Sequence, residues 1–226
     1  MIIILNSYDI TQYILNMLKN IAVKQNRKSI FSAVLDHQNK SRYYNSMVDS
    51  FNYVLSDPKL SNDQVAKKLG LMLEENSQLV NMYDATYYTP LMNAICHSIN
   101  YLDTTERIKF LLDRGADPNK YPNGYHLYTP LLLSIKDLPI SYSIIKMLIK
   151  YNCKSDDKAL WNSVMFGDFD TVKLLECHGG KQISDMRDEY GRTVLDCAKI
   201  FDRDEDFKYR LHRHYEQQKL KSLLKK

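Results

Sequence analysis

Two adjacent pairs, Cys96-His97 and Cys177-His178, carry the residue types of a thiol nucleophile and its base. Neighbouring residues on a helix point about 100° apart, so neither pair is a ready dyad. With Cys153 and Cys197 the chain has 4 Cys, and it has 6 His, enough in number for a zinc site. None of them has finger-type ligand spacing and there is no CxxC pair, so reduced structural cysteines are the better reading. His212 and His214 alternate with Arg210 and Arg213, a set that suits a phosphate. A solvated helix face is the plainer account of them. Asp202, Asp204, Glu205 and Asp206 precede the last helical segment and suit its positive N-terminus better than an acid–base role. There is no Gly-rich phosphate loop, and Gly179-Gly180 reads as a helix stop. No catalytic residue, cofactor or metal is expected.

The elements around these residues read as helical. Only 7 Gly and 6 Pro in 226 residues argue against disorder and against a turn-dense β fold. No stretch approaches 18 apolar residues, so no membrane span is expected. Met1-Ile2-Ile3-Ile4-Leu5 is broken at once by Asn6, Ser7 and Asp9, which does not read as a secretory signal. An intracellular, cytoplasmic protein is the expectation. A scarcity of Ala beside abundant Asn, Ile and Lys is the bias an AT-rich genome produces.

Self-similarity organises the middle of the chain. Thr89-Pro90-Leu91 recurs as Thr129-Pro130-Leu131. Thr caps orphan N–H groups and Pro fits the first helical turn. Leu91, Ala94 and Ile95 then share one face, and Ile108, Leu111 and Leu112 form a second stripe. Gly115 is predicted to end that second helix in a left-handed conformation, with Asn152 in the same role one unit later. Leu131, Leu132, Ile135 and then Ile144, Ile145, Leu148 and Ile149 fill the second unit. A third inner helix is predicted from near Lys158 to Gly167, followed by Phe169, Val172, Leu174 and Leu175. A fourth unit begins at Asp188-Glu189-Tyr190-Gly191-Arg192-Thr193-Val194-Leu195-Asp196.

These pieces resemble the ankyrin repeat family. The likeness rests on Thr-Pro-Leu twice, on Leu111-Leu112-Asp113-Arg114-Gly115-Ala116-Asp117-Pro118-Asn119, on Gly167-Asp168-Phe169-Asp170-Thr171-Val172-Lys173-Leu174-Leu175, and on the residue 188–198 motif. It implies an all-α, ankyrin-repeat solenoid of stacked helix-turn-helix units over residues 81–200, divided near 81–119, 120–153, 154–186 and 187–200 onward. The departures matter. The Thr-Pro-Leu starts are 40 residues apart against about 33 for the family. The family's histidine after Thr-Pro-Leu is replaced by Met92 and Leu132, which suggests a looser loop layer.

Residues 1–80 read as a helical N-terminal region, either degenerate repeats or a cap. Its stripes are Ile10, Ile14, Met17, Leu18 and Ile21; Ile30, Phe31, Val34 and Leu35; Tyr44, Met47, Val48, Phe51, Val54 and Leu55; and Val65, Leu69, Met72 and Leu73, capped near Ser61. Residues 201–226 read as a C-terminal capping helix with Phe207, Leu211, Tyr215, Leu220 and Leu224 as its apolar stripe. The net charge is +4, and from Phe207 onward seven Lys or Arg face one Glu.

The resemblance implies a non-enzymatic protein-protein interaction module with a concave surface of loop tips and inner helices. Tyr87, Tyr88, Tyr121, Tyr125, His126 and Tyr128 precede the two Thr-Pro starts, and Trp161, Phe166, Tyr190 and Arg192 extend the series. Tyr, Trp and Arg dominate interface hot spots. Any one of these tyrosines serves equally well to pack a stretched loop. Asn119 is first a turn residue; the resemblance implies the loop asparagine that a hydroxylase modifies in ankyrin proteins. In style the chain is similar to host-directed ankyrin proteins of poxviruses and of intracellular bacteria such as Legionella, which implies an effector acting on a host protein. A monomer that binds a protein partner, and no nucleic acid, is expected. The alternatives are an enzyme with its chemistry in residues 1–80, or a nucleic-acid or membrane-surface contact through the basic tail.

Overall fold

A computed structural model describes residues 45–97, 104–121, 129–135, 139–179 and 181–224. Among them the regular elements are helical and there is no strand. No described helix is long and apolar enough to cross a membrane. The chain divides into two compact units, Met1–Ser50 and Phe51–Lys226. In the first, residues 45–50 are helical and bury Val48. The stripes expected at Ile10–Ile21 and Ile30–Leu35 lie outside the described residues. Residue 80, the expected domain boundary, falls inside the second unit.

That second unit opens with helical residues 51–56 (α1). It continues through α2 (Asn62–Glu75), a 3-10 turn (Ser77–Asn81), α3 (Pro90–His97), α4 (Thr104–Asp113), α5 (Pro130–Ser134) and α6 (Pro139–Lys150). Then come α7 (Asp157–Phe166), α8 (Phe169–Gly179), a second 3-10 turn (Ile183–Asp185), α9 (Val194–Ile200) and α10 (Glu205–Leu223). Contacts between them fall into two series. One runs from the first 3-10 turn through α3, α5, α7 and α9; the other runs α2, α4, α6, α8 and α10. The series are cross-linked in pairs: α3 with α4, α5 with α6, α7 with α8 and α9 with α10. The core lies between the series, where Leu91, Ile95, Ile108, Leu111, Ile144, Ile145, Leu148, Val164, Val172 and Leu175 are all buried. Replacing one such Leu by Ala costs about 2–5 kcal/mol.

Local chemistry sets each boundary. Ser61 and Gln64 form a reciprocal capping box at α2, with Ser61 N–H donating to Gln64 at 3.0 Å. Thr89 and Thr129 each accept a backbone N–H three residues on, from Met92 at 3.3 Å and Leu132 at 3.2 Å. Asp156, Asp168 and Asp204 do the same for Ala159, Thr171 and Phe207. Three helices stop alike. Gly115, Asn152 and Asp202 have φ of 89°, 63° and 48°, and the next residue donates back across the last turn. The first two stops match expectation; Asp202, expected in an acidic helix start, instead ends α9. Gly167 caps α7 for a different reason. A Cβ there would sit 2.9 Å from the Ser163 carbonyl oxygen, so the position excludes side chains by close approach.

Two buried or half-buried arginines take up carbonyls that helix ends leave over. Arg107 donates to the carbonyls of Leu55 (2.7 Å), Asp57 (3.1 Å) and Leu60 (2.8 Å), and to Asn62 Oδ1 (3.0 Å). Arg203 donates to the carbonyls of Met165 and Gly167 and lies 4.2 Å from the Phe207 ring centroid.

One sequence expectation is corrected. Phe207, Leu211 and Tyr215 are buried on α10, but Leu220 and Leu224 are 59% and 78% exposed. The helix period puts Gln218, not Leu220, next on the packed face, and Gln218 is buried there. Its amide donates to Glu176 on α8 and its oxygen accepts from Ser184 N–H.

Candidate interaction surface

The turn before α3 is built on Asp84. One carboxylate oxygen accepts from Thr86 N–H (2.8 Å), Thr86 Oγ1 (2.6 Å) and Tyr88 N–H (3.0 Å). The other accepts from Asn93 Nδ2 at 2.7 Å, which ties the turn to α3. The backbone closes in parallel, with Asp84 N–H donating to the Tyr88 carbonyl. Burial alone would raise the Asp84 carboxyl, but the hydrogen bonds from Thr86, Asn93 and Tyr88 outweigh it and hold the group below its ordinary value.

The turn before α9 repeats this design on Asp188. Its carboxylate accepts from Tyr190 N–H (2.9 Å), Arg192 N–H (2.8 Å) and Arg192 Nε (2.6 Å), and Asp188 N–H donates to the Arg192 carbonyl. Burial would again raise this carboxyl, and the Arg192 and Tyr190 donors override it to lower it. The correspondence is residue for residue: Asp84 with Asp188, Tyr87 with Gly191, Tyr88 with Arg192, Thr89 with Thr193. Tyr87 therefore has a positive φ, 63°, where the second turn uses Gly191 at 75°. At Met92, where the family's histidine would stand, the first turn is held to its own helix by other residues. Met92 is buried in the core, and Asp84 with Asn93 supplies the tie.

Among the described residues, the aromatic and basic side chains expected at the surface lie on several separate elements. Tyr87 and Tyr88 are half-buried in the first turn; Tyr190 is 73% exposed in the second, with the Arg192 guanidinium 4.8 Å from its ring centroid. Tyr121 is half-buried beyond α4, while Tyr125, His126 and Tyr128 lie outside the described residues. Trp161 is half-buried in the middle of α7. Phe166 ends α7 and packs edge-to-face on Phe201, just past the end of α9, with ring centroids 5.4 Å apart. Two helix C-terminal ends therefore meet at Phe166. It lies the length of α9, about 10 Å, from the turn that holds Tyr190 and Arg192.

Two asparagines, Asn81 and the expected turn residue Asn119, each tie one loop to another by a pair of hydrogen bonds. Asn119 Nδ2 donates to the Asn152 carbonyl (3.0 Å) and its Oδ1 accepts from Lys154 N–H (2.7 Å). Asn81 makes the same pair with the Gly115 carbonyl and Asp117 N–H, both at 2.8 Å. Both amide atoms of Asn119 are engaged, which accounts for the residue without invoking modification. The sequence carries a partial signal: Asp84 and Asp188 each stand five residues before a capping Thr, and Asn81 and Asn119 each stand just ahead of a loop.

The Cys–His pairs do not converge on a dyad. His97 Nδ1 lies 2.7 Å from the Asn93 carbonyl and His178 Nε2 lies 3.0 Å from the Cys153 carbonyl. Burial pushes the Cys153 thiol up to about 12, and Cys177 is exposed. Among the described residues no group of three or more His, Cys, Asp or Glu converges as metal ligands would. His214 Nε2 is 2.6 Å from Glu176, a contact that ties α10 to α8. A hollow of about 640 Å³ lies between α9 and α10, lined by Thr193, Leu195, Lys199, Lys208, Tyr209 and His212. Its charged groups are already paired in part, Lys208 with Glu205 at 2.6 Å.

Compared with family models and with curated proteins, the chain matches none.

Proposed function

We propose that this chain is an ankyrin-class repeat protein and acts, without chemistry of its own, as a module that holds a protein partner. The observation that carries the reading is the matched pair of turns, Asp84–Thr89 and Asp188–Thr193. Each one uses a carboxylate to fix a left-handed residue ahead of a Thr-capped helix. Helices contacting in two parallel series, with repeated asparagine lacing, support the same reading. A scaffold rigidified in this way projects its turn tips at little entropic cost on binding.

The proposed contact surface is the row of turn tips and the helices behind them, with Tyr87, Tyr190, Arg192 and Trp161 as anchors. Phe166 is left outside it, because it stands at the far end of the helix row. A host-directed role is part of this proposal and rests on the resemblance alone. Affinity capture from a eukaryotic lysate, comparing the wild type with a Tyr190→Ala, Arg192→Ala, Trp161→Ala variant, tests it. The expected result is a defined partner lost from the variant while helical content is kept. Equal capture by both would reject the assigned surface.

A further inference from the structure

Helix α10 carries two apolar faces. Phe207, Leu211, Tyr215 and Gln218 face the rest of the fold and are buried. Leu220, Leu223 and Leu224 are 59%, 63% and 78% exposed. At 100° per residue their common direction lies about 180° around the helix from the buried stripe. They are therefore not frayed core residues. They form a separate apolar face that points away from the unit to which the helix belongs. Residues 219–224 are all exposed, so this end stands clear of its neighbours.

Charge selects the occupant. Lys219 and Lys221 border the three leucines on either side, and both are exposed. Arg213 and Tyr209, also exposed, continue the same face towards the middle of the helix; Glu216 lies on it too, and Glu205 and Asp206 lie on it at the opposite end of α10. A second copy would bring these cations against their equivalents, which like-charge repulsion disfavours. A helix that binds a protein groove presents anchors at i, i+3, i+4 and i+7. Leu220, Leu223 and Leu224 fill i, i+3 and i+4, but the preceding turns of this face carry Glu216 and Arg213, so the apolar anchors span little more than one turn. A bilayer makes no such demand. It takes Leu side chains into the headgroup–acyl boundary, meets Lys and Arg with anionic headgroups and accepts Tyr at the interface. We propose that the outward face of α10, centred on Leu220, Leu223 and Leu224, docks this chain on an anionic membrane surface.

The test is co-sedimentation of the full chain with lipid vesicles. One set is phosphatidylcholine alone; the other holds about one part phosphatidylserine to three of phosphatidylcholine. Binding to the mixed vesicles is expected to exceed binding to neutral ones by about tenfold or more, and to fall as salt rises. The Leu220→Gln, Leu223→Gln, Leu224→Gln variant is expected to lose about tenfold in binding with unchanged circular dichroism, since these side chains are mostly exposed. Lys219→Glu with Lys221→Glu is expected to remove the preference for phosphatidylserine. Wild-type chain that ignores both vesicle types overturns the proposal. So does a leucine variant that binds as the wild type does. Binding to duplex DNA that survives the leucine changes, without vesicle binding, overturns it in favour of a purely electrostatic tail.

Discussion

Tyr87 occupies in its turn the position that Gly191 occupies in the other, and both have positive φ, 63° and 75°. An L-residue in the left-handed region costs roughly 1–2 kcal/mol, and a bulky one is uncommon there. The cost is met because the Asp84 carboxylate accepts from the backbone N–H groups on both sides of Tyr87, those of Thr86 and Tyr88. Exchanging the two residue types separates backbone from side chain. Gly191→Ala is expected to destabilise by about 1 kcal/mol, purely through the backbone, because an added Cβ there meets nothing within 4 Å. Tyr87→Gly is expected to stay within about 1 kcal/mol of wild type, relief of strain offsetting lost contacts. Urea denaturation of both variants checks this. A Tyr87→Gly loss well beyond that range would mean the side chain, not the turn, holds the local structure.

Asn119 links the loop after α4 to the end of α6 through both of its amide atoms. Asn119→Ala is expected to cost about 1–2 kcal/mol, since it leaves the Asn152 carbonyl and Lys154 N–H without their partner. Asn119→Asp is expected to cost at least as much, because it turns a carboxylate oxygen towards that carbonyl. The measurement is again the urea midpoint, with Asn81→Ala as the parallel case. If Asn119→Asp proved neutral, the amide would not be making the donor contact.

The acid limb of the stability curve should be set in part by the turn carboxylates. Asp84, Asp188 and Asp196 are all held below their ordinary values, in Asp196 chiefly by the Thr193 hydroxyl. A carboxyl with a depressed folded pKa adds stability above its unfolded value, about 3.9, and loses it as pH falls through the folded one. Stability is therefore expected to hold above about pH 5 and to fall below about pH 4. Asp84→Asn should lower stability near neutrality and flatten that fall. An acid limb as steep in Asp84→Asn as in the wild type would assign the loss to other carboxylates.

Thiol reactivity should sort the cysteines by place. Cys177 is exposed and is expected to react first with a maleimide. Cys153 is buried and its thiol is pushed up to about 12, by burial first and then by Asp117 and Asp156. Only about one in ten thousand of its molecules is thiolate at about pH 8, so its labelling should wait for unfolding. Mass mapping of labelled peptides over time decides it; early labelling of Cys153 would show that the loop around it opens.

Much of the helical architecture was written locally. Thr89-Pro90, Thr129-Pro130, Gly115, Asn152 and Gly167 mark boundaries because capping, the proline ring and left-handed backbone each involve neighbours within about four residues. The buried stripes on α3, α4, α6 and α8 followed from the helix period. Three things did not follow. Asp84 and Asn93 meet because a turn folds back onto α3. Asn119 meets Asn152 and Lys154 only once one unit lies against the next. Most telling is α10, where a row of five apolar residues read as one stripe. Packing against α8 and α9 chose Phe207, Leu211, Tyr215 and the polar Gln218 for the buried face and turned Leu220 and Leu224 outward. A sequence by itself determines which residues can share a face. Which face is covered depends on where the neighbouring helices lie, and only the tertiary structure decides that.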